Sequence, residues 1–170
     1  MSLFQKSNQR IAALAAVIFA LDQFTKWLVL RSLGAFEERI IIPGFFKFVR
    51  WGNTGAAWSL FSGNNAALAL VALLALVALF LTRHHFDSHT LIGQIAFGLI
   101  FGGIAGNLFD RLIHHEVVDF IRFYMIPRGG YEIGFPAFNV ADSAICTGVG
   151  LIFLITWKNE QAPTSATSGK

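Results

Sequence analysis

A chain of 170 residues that is 55% hydrophobic and only 14% charged, with a mean hydropathy of +0.59, is too apolar for an ordinary soluble domain and reads as one integral membrane domain. The net charge is +3, but the basic residues are scattered and accompany no groove-reading motif, which argues against a nucleic-acid partner. A single cysteine, Cys146, excludes an intrachain disulfide and a thiolate metal cluster, and its apolar surroundings make it a small core hydrophobe.

A polar start with Lys6 and Arg10 leads into an apolar run over residues 11–30. The run is long enough to span, carries Asp22 and Lys26, and lacks a small-residue cleavage site after it, so it reads as a retained first helix rather than a removable leader. Asp22 and Lys26 stand four apart on one helical face, where they can pair; alternatively Lys26 snorkels toward the interface beside Trp27. Residues 31–65 form an outer loop too long to be structureless. Within it, Ile40-Ile41-Ile42, a Pro43-Gly44 turn and Phe45 to Trp51 read as a hairpin suited to the headgroup layer. A Gly-Asn turn carrying Asn53 follows, then a short amphipathic interfacial helix ending near Phe61.

Residues 66–82 form a second span, capped by Asn64 or Asn65, that carries no charge and reads as a lipid-facing scaffold. Segment 83–89 holds three histidines, but no carboxylate or cysteine stands beside them at zinc-like spacing, so no metal site is expected. The third span covers 91–112. Gly98, Gly102 and Gly106 recur every fourth residue, a pattern that lets helix backbones approach closely in lipid. Asn107, Asp110 and Arg111 then group on one face of its last turns, where Asp110 beside Arg111 reads as a structural carboxylate.

A second outer loop, 113–136, contains the β-branched run Val117-Val118-Asp119-Phe120-Ile121, which can add a strand to the hairpin. Pro136 opens the fourth span, 137–157, with Asn139, Asp142 and Ser143 in its first turns. The tail, 158–170, has the composition of a disordered segment. The predicted fold is therefore an α-helical integral membrane protein of four transmembrane helices, a small antiparallel β-sheet and a short interfacial helix. Four spans place both termini on one side, opposite the two long loops. Counting charges orients this poorly: Arg31, Arg39, Lys47, Arg50, Arg111, Arg122 and Arg128 lie on the loop side, against Lys6, Arg10, Arg83, Lys158 and Lys170 on the terminal side. By the positive-inside rule the count runs slightly against cytoplasmic termini.

Asp119 and Asp142 each sit where an apolar segment meets a polar loop. Ionisable groups at membrane depth are expensive and mark functional sites by default. Two carboxylates that approach closely cannot both ionise easily, so one stays protonated while the other is charged, the arrangement of an aspartic protease. Serine chemistry lacks a G-x-S-x-G elbow. The competing class is a proton- or ion-coupled transporter using Asp22, Asp110, Asp119 and Asp142 as a relay, although these carboxylates lie near span ends rather than along one midplane path.

Five stretches, in order, resemble the lipoprotein signal peptidases of bacteria: Leu21-Asp22-Gln23-Phe24-Thr25-Lys26, Asn53-Thr54-Gly55-Ala56-Ala57, Gly102-Gly103-Ile104-Ala105-Gly106-Asn107-Leu108-Phe109-Asp110-Arg111, Val117-Val118-Asp119-Phe120 and Phe135-Pro136-Ala137-Phe138-Asn139-Val140-Ala141-Asp142-Ser143. The resemblance implies an aspartyl endopeptidase with Asp119 and Asp142 as its dyad. It implies Asn107, Arg111 and Asn139 as supports, Asp22 and Lys26 behind the site and Asn53 near the substrate, with neither cofactor nor metal. The implied substrate is a prolipoprotein carrying diacylglyceryl on its lipobox cysteine, cut just before that cysteine. The implied setting is the bacterial inner membrane, multi-pass, with both termini cytoplasmic, the site near the outer leaflet, lipid around it and the enzyme monomeric.

Overall fold

The computed structural model describes residues 3–55, 63–86 and 88–161. Four helices, α1 (Leu3–Ser32), α2 (Asn65–Thr82), α3 (Leu91–Ile113) and α4 (Val140–Gln161), are each long and apolar enough to cross a membrane. α1 begins well before the apolar run, because residues 3–10 contain no proline or glycine to stop it. Its polar first turns dock on α3, where Gln94 Nε2 donates to the buried Ser7 hydroxyl at 3.0 Å. Asn64 caps α2, accepting from the Ala67 N–H, and the Thr90 hydroxyl caps α3, accepting from Gly93 N–H at 3.1 Å.

α4 departs from expectation. Pro136 does not open it: Phe138 instead pairs with Ile121, exchanging N–H and C=O bonds of 3.0 and 2.9 Å. The helix starts at Val140 with Asn139 as its cap, and it reaches Gln161, past the start of the expected disordered tail. The rest of that tail and the expected interfacial helix near Phe61 lie outside the described residues.

α3 is the central helix, packed on both α1 and α4. The glycine row supplies the close approach: a methyl group at Gly102 would lie 2.6 Å from the Ala15 carbonyl oxygen of α1, and one at Gly106 would lie 2.5 Å from the Asp22 carboxylate. At Gly103, one residue on and about 100° round the helix, a methyl would meet the Ala141 carbonyl oxygen of α4 at 2.5 Å. α2 buries only Ala69 and presents leucine and valine outward, as its uncharged sequence requires.

Two long connections build one antiparallel sheet, in the order β1 (Glu38–Ile42), β2 (Phe46–Asn53), β3 (Val117–Met125), β4 (Ile133–Gly134). The hairpin and the added strand appear as the sequence suggested; β4, two residues long, had no alternating pattern to announce it. A bulge between Phe48 and Trp51 resets the β2–β3 register, so Trp51 pairs with Asp119 and Asn53 with Val117. Phe123 stands 5.3 Å from both Phe45 and Phe46, and 6.1 Å from Phe138, between ring centroids. That cluster ties the sheet to the residues leading into α4.

Candidate active site

The polar residues of the sequence motifs assemble where α1, α3 and α4 meet β3, and they divide into two groups. The first is closed. Lys26 Nζ lies 2.8 Å from Asp22 Oδ2, 2.8 Å from Asp110 Oδ2 and 3.0 Å from Asn107 Oδ1. Lys26 is only 2% exposed, Asp110 1% and Asp22 not at all, so Lys26 does not snorkel toward the interface. Charges taken this far out of water persist only when paired and fully hydrogen-bonded, and these are. Asp22 Oδ1 accepts from the Ala141 N–H at 2.9 Å, satisfying an orphan donor of the first turn of α4. Asp110 Oδ1 accepts from Gln23 Nε2 at 2.9 Å, and its other oxygen accepts from Val118 N–H at 3.4 Å.

This corrects the expectation for Asp110, whose cation is Lys26 and not the adjacent Arg111. Neighbours in a helix point about 100° apart, so Arg111 turns elsewhere. It donates to Asn65 Oδ1 at 3.1 Å and to the Gly55 carbonyl at 2.7 Å, while Asn65 returns a 2.8 Å bond to the Arg111 carbonyl. Arg111 thereby anchors the loop after β2 to the start of α2. Gln23 and Asn65 received no such role from the sequence. Gln23 shows there only as an amide in an apolar run, a signal that a partner must exist, and Asn65 is indistinguishable from a capping residue.

The second group is open. Asp119 on β3 and Asp142 in the first turn of α4 line one cavity of about 930 Å³, together with Trp51, Asn53, Asn107, Arg111, Phe135 and Phe138. Two amides connect the two carboxylates, and a third holds Asp119. Asn139 Nδ2 donates to Asp119 Oδ1 at 2.8 Å and lies 3.2 Å from Asn107 Oδ1. Asn107 Nδ2 donates to Asp142 Oδ1 at 2.7 Å. Asn53 Nδ2 donates to the second oxygen of Asp119 at 2.9 Å. Asn139 and Asp142 also form a reciprocal capping box: the Asp142 N–H donates to Asn139 Oδ1 at 2.9 Å, and the Asn139 N–H donates to Asp142 Oδ2 at 3.2 Å. Burial, and then the charge of Asp142, push the Asp119 carboxyl up to about 7, which lets it hold a proton at neutral pH.

The cavity rim is braced from the sheet. Lys47, 3% exposed, bridges Glu38 at 2.6 Å and Glu132 at 2.8 Å; burial opposes its charge, but these two carboxylates outweigh burial and hold its pKa above the usual value. Glu132 receives a fork from Arg122, at 3.1 and 3.0 Å, and the Arg122 guanidinium lies 4.4 Å above the Trp51 ring at the cavity mouth. Cys146 is exposed on the cavity wall, not in the core as its apolar neighbours suggested, because its face of α4 looks into the opening. Among the described residues no group of three or more His, Cys, Asp or Glu side chains is arranged to hold a metal ion.

Comparison with known proteins fits this geometry. Residues 14–158 match the family described as Signal peptidase (SPase) II. A lipoprotein signal peptidase of Anoxybacillus flavithermus is 35% identical over 92% of this chain and 90% of its own length. One from Symbiobacterium thermophilum is 42% identical over 83% and 90%. Two solved bacterial membrane enzymes superpose with TM-scores of 0.74 and 0.73 at 31% and 33% identity, covering 94% and 88% of this chain and 94% and 93% of theirs. None of these likenesses supports a transporter. The chain belongs to the signal peptidase II family of aspartic-type proteases.

Proposed function

We propose that Asp119 and Asp142 are the catalytic pair of an endopeptidase that removes signal peptides from diacylglyceryl-modified prolipoproteins, cutting before the lipidated cysteine. The observation that carries this reading is the open carboxylate pair: two aspartates from separate elements share one cavity, both held by amides, with no ion pair to either among the described residues. A pair with no ion pair to either member can divide one proton between two carboxylates. The charged member takes a proton from a water that attacks the scissile carbonyl carbon, while the protonated member donates to the carbonyl oxygen. Collapse of the tetrahedral intermediate returns a proton to the leaving amine and restores the pair. The name carried by the relatives, lipoprotein signal peptidase, supports the substrate class.

Trp51, Phe135 and Phe138 give the cavity apolar walls beside the carboxylates, suited to a substrate that is part peptide and part lipid. The pair lies at the sheet end of α3 and α4, which fits a site near the outer leaflet of a bacterial inner membrane with both termini cytoplasmic. Burial of acyl chains is worth about 0.8 kcal/mol per CH₂, so lipid can supply much of the binding and leave peptide contacts to align the scissile bond. The test is cleavage by the purified full-length protein in lipid nanodiscs. A peptide with diacylglyceryl on its cysteine is cut, the unlipidated peptide is cut far more slowly, and a chelator changes neither rate. Equal rates for the two peptides would sink the lipid-anchored reading, and inhibition by the chelator would sink the aspartyl one.

A further inference from the structure

Each of the three asparagines that hold the carboxylate pair has its amide orientation fixed by a group that can only donate. Lys26 is an ammonium with no acceptor capacity, and it lies 3.0 Å from Asn107. The atom it faces must therefore be the Asn107 carbonyl oxygen, which turns the NH₂ toward Asp142 Oδ1 at 2.7 Å. The Asp142 N–H fixes the Asn139 oxygen at 2.9 Å, and the Gly55 N–H fixes the Asn53 oxygen at 2.9 Å. The NH₂ groups of Asn139 and Asn53 are thereby turned to Asp119.

The two carboxylates are nonetheless held unequally. Asp142 receives one amide that is polarised by a buried cation and one backbone N–H that cannot rotate away. It also stands in the first turn of α4, where the helix dipole favours negative charge. Asp119 sits on a strand, beside the α4 cap residue Asn139 but outside the helix's first turn. Its Asn139 donor lies within 3.2 Å of Asn107 Oδ1 and 3.4 Å of the Val118 carbonyl as well, and so is shared. Its other donor, Asn53, stands at the last residue of β2.

The remaining charges do not reverse this asymmetry. Arg111 on α3 acts on both carboxylates. Asp22 of α1 and Asp110 of α3 are bonded to Lys26. Glu116 lies over Gly52 on the β2–β3 pair, and Arg122 is engaged by Glu132 at the rim.

We infer that Asp142 is the anionic member of the pair and Asp119 the member that carries the proton, and that Lys26 sets this division as a positioning residue acting through Asn107. The inference rests on the endopeptidase reading above. The upward shift of Asp119 to about 7 agrees with it.

The test is the pH–rate profile of the full-length protein in nanodiscs, with a diacylglyceryl peptide as probe. In a pair with one proton, the acid limb reports protonation of the anionic member and the alkaline limb reports loss of the proton from the other. Asn107→Leu removes the donor to Asp142, so the acid limb moves up by about 1–2 pH units, the range set by a hydrogen bond to a charged group, while the alkaline limb stays. Asn53→Leu does the converse, moving only the alkaline limb up. Exchange of these two results, or equal movement of both limbs in both variants, overturns the division. A wild-type profile without two limbs, or turnover by Asp119→Asn, overturns the endopeptidase reading instead.

Lys26 is tested as Lys26→Met with Asp22→Asn, which preserves the net charge of the buried cluster, measured against wild type, with Asp22→Asn alone as the control for loss of that carboxylate. The acid limb moves up, and adding Asn107→Leu moves it no further, because both changes break one connection. Additive movement would remove Lys26 from the path. Asn107→Leu leaves the Lys26 ion pairs in place and decides the division where the cluster variant does not fold.

Discussion

Four aspartates lie within the same corner of this protein, and two of them have a different physical situation from the other two. Asp22 and Asp110 share one lysine, are shut away from solvent and have their oxygens taken by donors from two helices and a strand. Asp119 and Asp142 are held only by amides and open on a cavity. A carboxylate locked to a buried cation stays charged and joins elements together; one whose partners are neutral can change its protonation state. Residue type is the same for both pairs, and the partner decides which is scaffold and which is chemistry.

The comparison is broken most sharply by removing charge from each pair in turn. Asp119→Asn and Asp142→Asn, each close in size to the carboxylate it replaces, lower the cleavage rate by about 100-fold or more while leaving a folded protein. Near-wild-type turnover by either variant would take that residue out of the pair. In the closed group the expected order is reversed. Lys26→Met leaves two buried carboxylates facing each other and costs about 3–5 kcal/mol of stability, read as loss of folded yield and a lower thermal midpoint in detergent. Asp110→Asn costs less, since Asp22 still pairs with Lys26, but it too is a stability lesion. If Lys26→Met kept wild-type stability and lost only activity, the closed group would not be scaffold.

A smaller effect sharpens the account of how the groups are brought together. At Gly102 an added side chain meets backbone of α1, which cannot turn aside, whereas at Gly98 it meets the Leu14 side chain. Gly102→Leu overpacks this contact and costs about 3 kcal/mol, with activity falling in step, and Gly98→Ala costs about 1 kcal/mol. Equal tolerance at both positions would mean that α1 and α3 are not in such close register.

Spans and glycine row were legible because lipid imposes long apolar runs and close helix packing demands small residues at a fixed period. The hairpin and β3 were legible from β-branched and aromatic runs. The start of α4 was not, because Pro136 is as compatible with the strand-like pairing of Phe138 as with a helix opening. Nor was the partner of Asp110, since adjacency in sequence favours Arg111 and only the folded bundle brings Lys26 of α1 to 2.8 Å. Asp119 and Asp142 were legible as misplaced carboxylates, but the amides that hold them come from β2, α3 and the α4 cap. Their orientations depend on which donor each meets in three dimensions.

The dependence of stability on pH also distinguishes the two pairs. The Asp119 carboxyl, ordinarily near 3.8, is pushed up to about 7 in the folded protein, first by burial and then by Asp142. Between those values the folded protein holds a proton that the unfolded chain has released, so raising the pH through this window disfavours folding, and the loss is complete above pH 7. Asp119→Asn has no proton to lose there. Its thermal midpoint should match wild type near pH 4 and exceed it at pH 8, by about 2–4 °C for each kcal/mol relieved, although the variant is inactive throughout. Asp110→Asn, which loses a bonded charge instead of an uncomfortable one, should melt below wild type at both pH values. A midpoint for Asp119→Asn that falls below wild type at pH 8 would mean that the ionised Asp119 is itself a structural group, and the distinction between the open and the closed pair would fail at that residue.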